Sequence, residues 1–180
     1  GHLHAKKLHA HQPMKLAAAE AIYETTNPAG FSLFSLIDEQ NRRETFSIRI
    51  PYILSFLIYN RPEGPVRGLN DLQKEYEDRM GPGNYIPPVT LNFWSFRIMV
   101  GIGIALLLIA TAGLWFQIRK KVTPRWLLNL IFWSIPLPWI AHSCGWILAE
   151  MGRQPWVVFE IMRTENAVSP GVSSFSVLFS

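Results

Sequence analysis

An uncharged stretch of 21 residues constrains this 180-residue chain more than any other feature. Residues 98–118 contain no Asp, Glu, Lys or Arg, and Thr111 and Gln117 are their clearly polar members. At a rise of ~1.5 Å per residue, a helix of this length covers about 31 Å, which is enough to cross a hydrocarbon core. Soluble helices are rarely apolar on every side over such a length. The stretch therefore predicts a transmembrane helix, and a buried helix of a soluble protein is the less favoured alternative.

A second uncharged run follows at residues 126–149. It is less purely apolar than the first, since it includes Pro136, Pro138 and His142. Prolines are tolerated in membrane helices when neighbouring groups satisfy the freed carbonyls, and tryptophan favours the membrane interface. The run predicts a second transmembrane helix, kinked near the two prolines. Its candidate interface anchors are Trp126, Trp133, Trp139 and Trp146.

The distribution of charge predicts how these helices are oriented. Charged residues make up 17% of the chain, below the ~25% of soluble domains. Residues 1–92 carry ten basic and ten acidic side chains, so the net charge of +4 arises after them. Four basic residues lie within 119–125, and short loops rich in Lys and Arg stay on the cytoplasmic side. This pattern places residues 1–92 and 150–180 outside, and it argues against nucleic acid as a partner.

Together these patterns predict an all-α integral membrane protein, namely a fragment of a transmembrane helix bundle with an external mixed loop segment. Residues 175–179 resemble the start of a further apolar run, and the chain lacks an initiator Met, so a piece of a larger protein is expected. The predicted order is an external region at 1–92, a membrane helix at 93–118, a cytoplasmic basic loop at 119–125, a membrane helix at 126–149 and an external segment at 150–180 that leads to a truncated next helix.

Helix and strand signals punctuate the external region. Pro13 suits the first turn of a helix and predicts one over residues 13–24. Residues 46–50 alternate apolar and polar side chains, which predicts a short strand. Residues 69–80 place apolar side chains at helical spacing with charges between them, which predicts an amphipathic helix.

Ionisable side chains lie at the outer edges of both membrane runs, where such groups are costly and often functional. Arg97 lies just before residues 98–118, and Glu150 and Arg153 follow the second run. With His142 and Trp146, the last two share a helical spacing that predicts one polar face directed into a bundle or cavity. Interfacial side chains that extend toward water are the alternative, above all for Arg153.

Met99 offers a thioether two residues after Arg97. A methionine in an apolar helix normally fills space, but thioethers also serve as axial ligands of haem iron. Gly101 and Gly103 remove side chains nearby, which would admit a helix or a flat macrocycle. Arg97 would then suit a haem propionate. The residues alone leave both interpretations open.

Histidines, one cysteine and a Lys–Glu pair are the remaining groups with chemical potential in the sequence. The alternating His2, His4, His9 and His11 would suit a transition metal, although a solvated, tag-like terminus is the favoured alternative. The chain's one cysteine, Cys144, excludes a disulfide framework. Lys15 and Glu20 are five residues apart, so they form no helical ion pair, and periodicity leaves both as solvated charges.

Three blocks of sequence nevertheless match a known pattern. They are residues 12–20 (QPMKLAAAE), residues 96–100 (FRIMV), and Gly145-Trp146 followed by residues 150–156 (EMGRQPW). In order and spacing they resemble subunit I of the cytochrome bd quinol oxidases. The short linker between the first two blocks resembles the short-loop subgroup, and the sequence covers less than half of such a subunit.

This resemblance implies a respiratory enzyme of the bacterial or archaeal cell membrane that oxidises membrane quinol and reduces dioxygen to water. The complete multi-pass subunit would bind a low-spin haem b, a high-spin haem b and a haem d, and it would assemble with subunit II and small accessory subunits. Residues 1–92 would be the external quinol-binding loop region. The fragment alone is expected to be inactive, because further haem ligands, including the histidine opposite the methionine, come from family helices upstream.

The resemblance also implies roles for individual residues. Lys15 and Glu20 match the loop residues implicated in quinol oxidation. Met99 matches the axial ligand of the low-spin haem b. The remaining cofactor-binding candidates carried over from the matching blocks are Arg97, Trp146, Glu150 and Arg153. His142 receives no support from the family pattern. The competing hypothesis is a non-catalytic membrane scaffold or a transporter fragment with an external binding loop.

Overall fold

The computed structural model describes residues 2–167. In chain order its helices are α1 (His2–His11), α2 (Pro13–Glu20), α3 (Ile53–Tyr59), α4 (Leu69–Met80), α5 (Val89–Ile118), α6 (Arg125–Trp133) and α7 (Leu137–Met151). Strands β1 (Phe31–Asp38) and β2 (Arg43–Ile50) lie between α2 and α3, and β3 (Trp156–Val158) and β4 (Met162–Arg163) follow α7. The chain is therefore mostly helical, and the four strands correct the expectation of an all-α fold. The predicted apolar run at 175–179 lies outside the described residues.

Two stretches are long and apolar enough to cross a membrane, Val89–Ile118 and Arg125–Met151. The second is broken between α6 and α7 at residues 134–136. Pro136 lacks an N–H and its ring clashes with the preceding turn, so the kink predicted near Pro136 and Pro138 is confirmed. α7 packs along α5. Most of the apolar surface of both stretches faces away from the described chain, as expected of helices that contact lipid or further helices.

The start of α5 belongs to the packed part of the molecule. The helix begins at Val89, nine residues before the uncharged stretch, and Phe93 is fully buried. It contacts α2 and β1 there. The surrounding core joins residues from α2, α4 and α5 to the segment after α7, and includes Met14, Ala17, Leu72, Tyr76, Tyr85, Phe93 and Trp156. Trp156 stacks on Tyr85 with ring centroids 5.8 Å apart, so the segment that follows α7 returns to the same end of α5 as residues 2–88.

Helix α2 ends at Glu20, four residues earlier than predicted. Ala21 adopts a left-handed backbone with φ of 51°, and the Ile22 N–H closes the helix end on the Ala17 carbonyl at 2.9 Å. The chain must turn here because the Ile22 carbonyl accepts a 2.8 Å hydrogen bond from the Leu69 N–H at the start of α4. An N-terminal helix N–H has no partner within its own helix. The carbonyls of Ile22 and Tyr23 therefore cap α4 instead of extending α2, and the predicted helix α4 is confirmed.

The predicted strand at 46–50 is confirmed as part of β2, but its antiparallel partner β1 was missed. Two register shifts interrupt the pairing, one between Ser32 and Phe34 and one between Leu36 and Ile37. Such bulges change which side chains face inward. The small hydroxyl side chains of Ser32 and Ser35 are buried, while Leu33 and Leu36 are exposed.

Candidate functional site

One cavity of about 480 Å³ lies where α2, β1, α5 and α7 meet. Such volumes and mostly apolar walls with a few polar groups are typical of sites for small molecules. The polar side chains on its wall are His4, Lys15 and Glu20. The apolar lining includes Leu8, Leu16, Phe31, Leu54, Leu57, Phe96, Met99 and Leu148. The cavity thus brings together three residues that the sequence singled out, Lys15, Glu20 and Met99.

Glu20 is a buried carboxylate at the end of α2, only 3% exposed at its side chain. One carboxylate oxygen, Oε2, accepts a hydrogen bond from Arg97 Nη2 at 2.7 Å and another from the Ser32 N–H at 3.3 Å. Burial raises the pKa of the Glu20 carboxyl above its ordinary value, and the Arg97 guanidinium acts in the opposite direction. The expectation from periodicity that Glu20 is a solvated charge is wrong.

Arg97 connects α5 to α2 and β1. Its Nε donates to the Ser32 carbonyl at 2.9 Å, Nη1 donates to the Ala19 carbonyl, and Nη2 donates to both Glu20 and Ser32. The guanidinium also lies 3.9 Å from the centroid of the Phe93 ring, a cation–π geometry. The hydrogen bonds of Arg97 within the described chain are therefore with α2 and β1, and its role toward a cofactor remains a prediction.

Lys15 is held against the end of α7. Its Nζ donates to the Ala149 carbonyl at 3.1 Å, one of the carbonyls that a helix leaves free at its C-terminus. A Cβ on Gly152 would come within 2.9 Å of Lys15 Cε and 3.0 Å of Asn92 Oδ1. Gly152 therefore leaves the space through which the lysine stem passes. Burial and the nearby Arg153 lower the pKa of Lys15, while Glu150 opposes them.

Met99 lies on α5 where that helix meets α7. Its Sδ would be 3.1 Å from a Cβ built on Gly145, so the missing side chain of Gly145 leaves room for the sulfur. The thioether also lines the cavity. Thioether sulfur can serve as a ligand of haem iron, and this role of Met99 remains a prediction.

The remaining predicted site residues lie outside the cavity. Glu150 and Arg153 form an ion pair of 2.5 Å with side chains 42% and 40% exposed. Because α7 ends at Met151, Arg153 lies beyond the helix and does not share the helical face predicted for it. Trp146 and His142 are exposed on α7. The cofactor-binding roles of Trp146, Glu150 and Arg153 remain predictions.

The four early histidines lie on α1, and their observed partners are protein groups. His2 Nδ1 is 2.7 Å from the Leu57 carbonyl, and His9 Nε2 is 2.8 Å from the Tyr59 hydroxyl. Burial, together with Arg67, lowers the pKa of His9. Within residues 2–167 no group of three His, Cys, Asp or Glu side chains is placed to hold a metal ion.

Sequence reasoning missed the contacts between distant residues. Glu20 and Arg97 are 77 positions apart, and no local pattern connects them. Ser32, Ser35 and Glu44 also escaped notice, although a strand that carries serine at inward positions is itself a signal, since inward positions are normally apolar.

The family model described as cytochrome bd terminal oxidase subunit I matches residues 1–180. The cytochrome bd ubiquinol oxidase subunit 1 of Bacillus subtilis strain 168 is 46% identical over 182 residues, covering 100% of this chain and 39% of its own length. The cytochrome bd-II ubiquinol oxidase subunit 1 of Escherichia coli K12 is 30% identical, covering 93% of this chain and 44% of its own length.

The fold is also similar to a solved structure. The bd oxidase of Geobacillus thermodenitrificans superposes with a TM-score of 0.77 at 35% sequence identity. The match covers 99% of this chain and 40% of that chain. This chain thus spans about two fifths of the length of the proteins that it resembles.

Proposed function

Because this chain belongs to the cytochrome bd terminal oxidase subunit I family, we propose that it carries the quinol-oxidising site of a respiratory oxidase. The complete subunit would pass electrons from membrane quinol to dioxygen and form water. The observation that carries this proposal is the cavity in which Lys15 and Glu20 of the external segment meet Met99 of α5. The competing hypothesis of a non-catalytic scaffold has no specific feature of the described residues in its favour.

Quinol oxidation requires the removal of two protons and two electrons. The cavity offers side chains that could take part in removing the protons. Glu20 is held by Arg97 as a carboxylate, so it can accept a proton from a quinol hydroxyl as a general base. Lys15 would stabilise the oxygen on which negative charge develops. The apolar walls, with Phe31 and Phe96 in edge-to-face contact at 6.2 Å, would hold the ring and exclude water.

The residues present fit one side of a haem site. Met99 places a thioether beside Gly145, where the absence of a Cβ leaves the sulfur accessible from the cavity. Met99 would be one of the residues that hold the iron of a low-spin haem b, which when bound would supply a one-electron acceptor. A high-spin haem b and a haem d would belong to the complete subunit, with Trp146, Glu150 and Arg153 on the surface that would face them.

The proposed setting is a multi-pass protein of a bacterial or archaeal cell membrane. Residues 93–118 and 126–149 would span the bilayer, and residues 119–125 would be the cytoplasmic loop. Residues 1–92 and 150–180 would face outward, so quinol protons would leave on the outer side. Subunit II and any accessory subunits are the expected protein partners.

The test of this proposal is the Glu20→Gln variant in the complete oxidase. We expect kcat for quinol to fall by ~100-fold or more, because general base catalysis typically contributes 10²- to 10⁴-fold. The wild-type activity should fall as the pH drops through the pKa of Glu20, since only the carboxylate accepts a proton. Burial holds this pKa above the ordinary carboxyl value, and the variant should lose this acidic limb.

The matched control is Glu63→Gln, which removes an exposed carboxylate of the same external segment. It should retain wild-type activity and pH dependence. Reduced-minus-oxidised spectra establish that the haems are retained in both variants. Full quinol oxidation by a haem-replete Glu20→Gln enzyme would remove Glu20 from the mechanism.

A further inference from the structure

The hairpin of β1 and β2 directs polar side chains inward and apolar side chains outward. Ser32 and Ser35 are 0% and 1% exposed, whereas Leu33 and Leu36 are 49% and 51% exposed. In a regular strand, residues three apart point to opposite faces. The bulge between Ser32 and Phe34 shifts the register so that both serines face the interior. The hairpin forgoes apolar burial to place two hydroxyls beside the cavity that holds Glu20.

These hydroxyls belong to a series of polar groups that begins at Glu20. The Ser32 N–H holds Glu20 Oε2 at 3.3 Å, and the hydroxyl of Ser32 lies 2.7 Å from that of Ser35. The Ser35 hydroxyl donates to Glu44 Oε1 at 2.9 Å. The other oxygen of Glu44 accepts a hydrogen bond from Arg49. The series thus runs from the wall of the apolar cavity to a second carboxylate on β2.

Glu44 and Arg49 line a second, polar cleft of about 280 Å³ between β2 and the segment that follows α2. The Tyr23 hydroxyl, the Thr26 hydroxyl and Arg49 Nε are buried there without a hydrogen-bond partner among residues 2–167. Unpartnered buried polar groups in a roomy polar site are characteristic positions for ordered water. The rim of the cleft is solvent-exposed and carries Glu24, Arg42 and Arg43. Glu44 therefore connects the buried serines to water.

We propose that Ser32, Ser35 and Glu44 form the exit path for a proton that Glu20 takes from quinol. The inference rests on the proposed function of the cavity and adds the route by which the proton leaves it. Each hydroxyl in the path can accept a proton on a lone pair and donate its own. A rotation of the Ser32 side chain or one water joins the Glu20 carboxyl to the first hydroxyl.

The transfer is balanced in atoms and charge. A quinol O–H bond breaks and an O–H bond forms on Glu20. Relay through the two hydroxyls then protonates Glu44, restores the Glu20 carboxylate and leaves both serines unchanged. Glu44 releases the proton to water in the cleft. The second quinol proton follows the same route once the Glu20 carboxylate is restored, and a haem, when bound, would accept the two electrons one at a time. The charged groups that face Glu20 are Arg97 and Arg49, and those that surround Glu44 in the cleft are Arg49, Arg42, Arg43 and Glu24.

The test uses the complete, haem-replete oxidase with the variants Ser35→Ala and Glu44→Gln. Each should lower kcat for a water-soluble quinol analogue by ~10-fold or more, in the range of a lost proton-transfer group. The solvent deuterium isotope effect on kcat should rise above the wild-type value, because proton exit becomes rate-limiting. KM should change little, since neither side chain lines the quinol cavity. Glu44→Asp and Ser35→Thr, which keep the carboxylate and the hydroxyl, should restore most of the rate.

Two matched controls distinguish the loss of proton transfer from a structural disruption of the hairpin. Ser47→Ala removes an exposed serine hydroxyl from the neighbouring strand β2, and Glu63→Gln removes an exposed carboxylate; both should behave as wild type. Wild-type kcat and isotope effect in both Ser35→Ala and Glu44→Gln would overturn the exit path. If Glu44→Gln fails to assemble, Ser35→Ala, which deletes a single oxygen atom, decides by the same measurements. If Glu20→Gln loses activity while Ser35→Ala and Glu44→Gln do not, the exit path is rejected and the proposed quinol site still stands.

Discussion

At the scale of single residues, Gly152 shows how a missing side chain positions a charged one. The backbone φ of Gly152 is −69°, which any residue can adopt. What excludes a side chain is space, because a Cβ would lie 2.7 Å from the Leu148 carbonyl oxygen and 2.9 Å from Lys15 Cε. The passage of Lys15 toward the cavity thus explains why residue 152 is a glycine.

We expect Gly152→Ala to displace Lys15 and weaken quinol binding. Overpacking of this kind costs ~1–3 kcal/mol, which corresponds to a rise in KM of roughly 5- to 150-fold if the whole cost falls on binding. Steady-state kinetics of the complete oxidase measure this change. Gly113→Ala is the matched control, since a Cβ there meets only Ile131 Cδ1 at 4.0 Å. An unchanged KM in Gly152→Ala would mean that Lys15 does not hold quinol.

At the scale of secondary-structure elements, Arg97 joins three of them. It donates to the Ala19 carbonyl in the last turn of α2 and to the Ser32 carbonyl at the start of β1. Its guanidinium also lies over the Phe93 ring of its own helix, α5. The Arg97–Glu20 pair is nearly inaccessible to solvent, with side chains 9% and 3% exposed. A buried charge whose partner is removed is strongly destabilising, whereas removing both charges can be close to neutral.

A double-mutant cycle tests this coupling. Arg97→Gln should destabilise the assembled protein by ~3–5 kcal/mol, and the double variant with Glu20→Gln should recover much of that loss. The measurement is thermal unfolding of the complete oxidase, with haem content checked in each variant.

The matched pair for this cycle is Arg67–Glu75, which has the same 2.7 Å separation but side chains 45% and 43% exposed. Its coupling should be at most ~1 kcal/mol. Equal coupling free energies in the two cycles would contradict the prediction that burial strengthens the Arg97–Glu20 pair.

The elements also show what sequence patterns can predict. α4 can be predicted from periodicity, because it buries one apolar stripe. The two apolar stretches can be predicted from composition, because they are apolar on every side along most of their length. β1 was missed because its bulges destroy the alternation by which a strand is recognised. The Glu20–Arg97 pair was missed because its partners meet only after the fold has formed, and the roles of Lys15 and Glu20 came from family resemblance alone.

At the scale of the whole molecule, the packed external segment and the basic loop lie at opposite ends of α5. The helix has 30 residues, about 45 Å at ~1.5 Å per residue. Val122 in the basic loop is 94% exposed. The positive-inside rule predicts that this loop is cytoplasmic, and the cavity and the proposed proton exit are then predicted to lie on the outer side.

Cysteine labelling in intact cells tests this orientation. In a parent in which Cys144 is replaced by Ala, Asn41→Cys in the exposed β1–β2 turn should react with a membrane-impermeant maleimide. Val122→Cys should react only after the membrane is permeabilised. The reverse pattern would place the quinol cavity on the cytoplasmic side and would contradict outward proton release.

One property of α5 bears on how the protein tolerates different membranes. Arg97 and Met99 are two residues apart on this helix, about 3 Å of axial rise. A bilayer that becomes thinner or thicker is accommodated by helix tilt. Because the two groups belong to one continuous helix, tilt carries them together. Growth temperature and lipid composition can therefore alter the packing of α5 without changing the axial spacing between Met99 and the arginine that binds the Glu20 carboxylate.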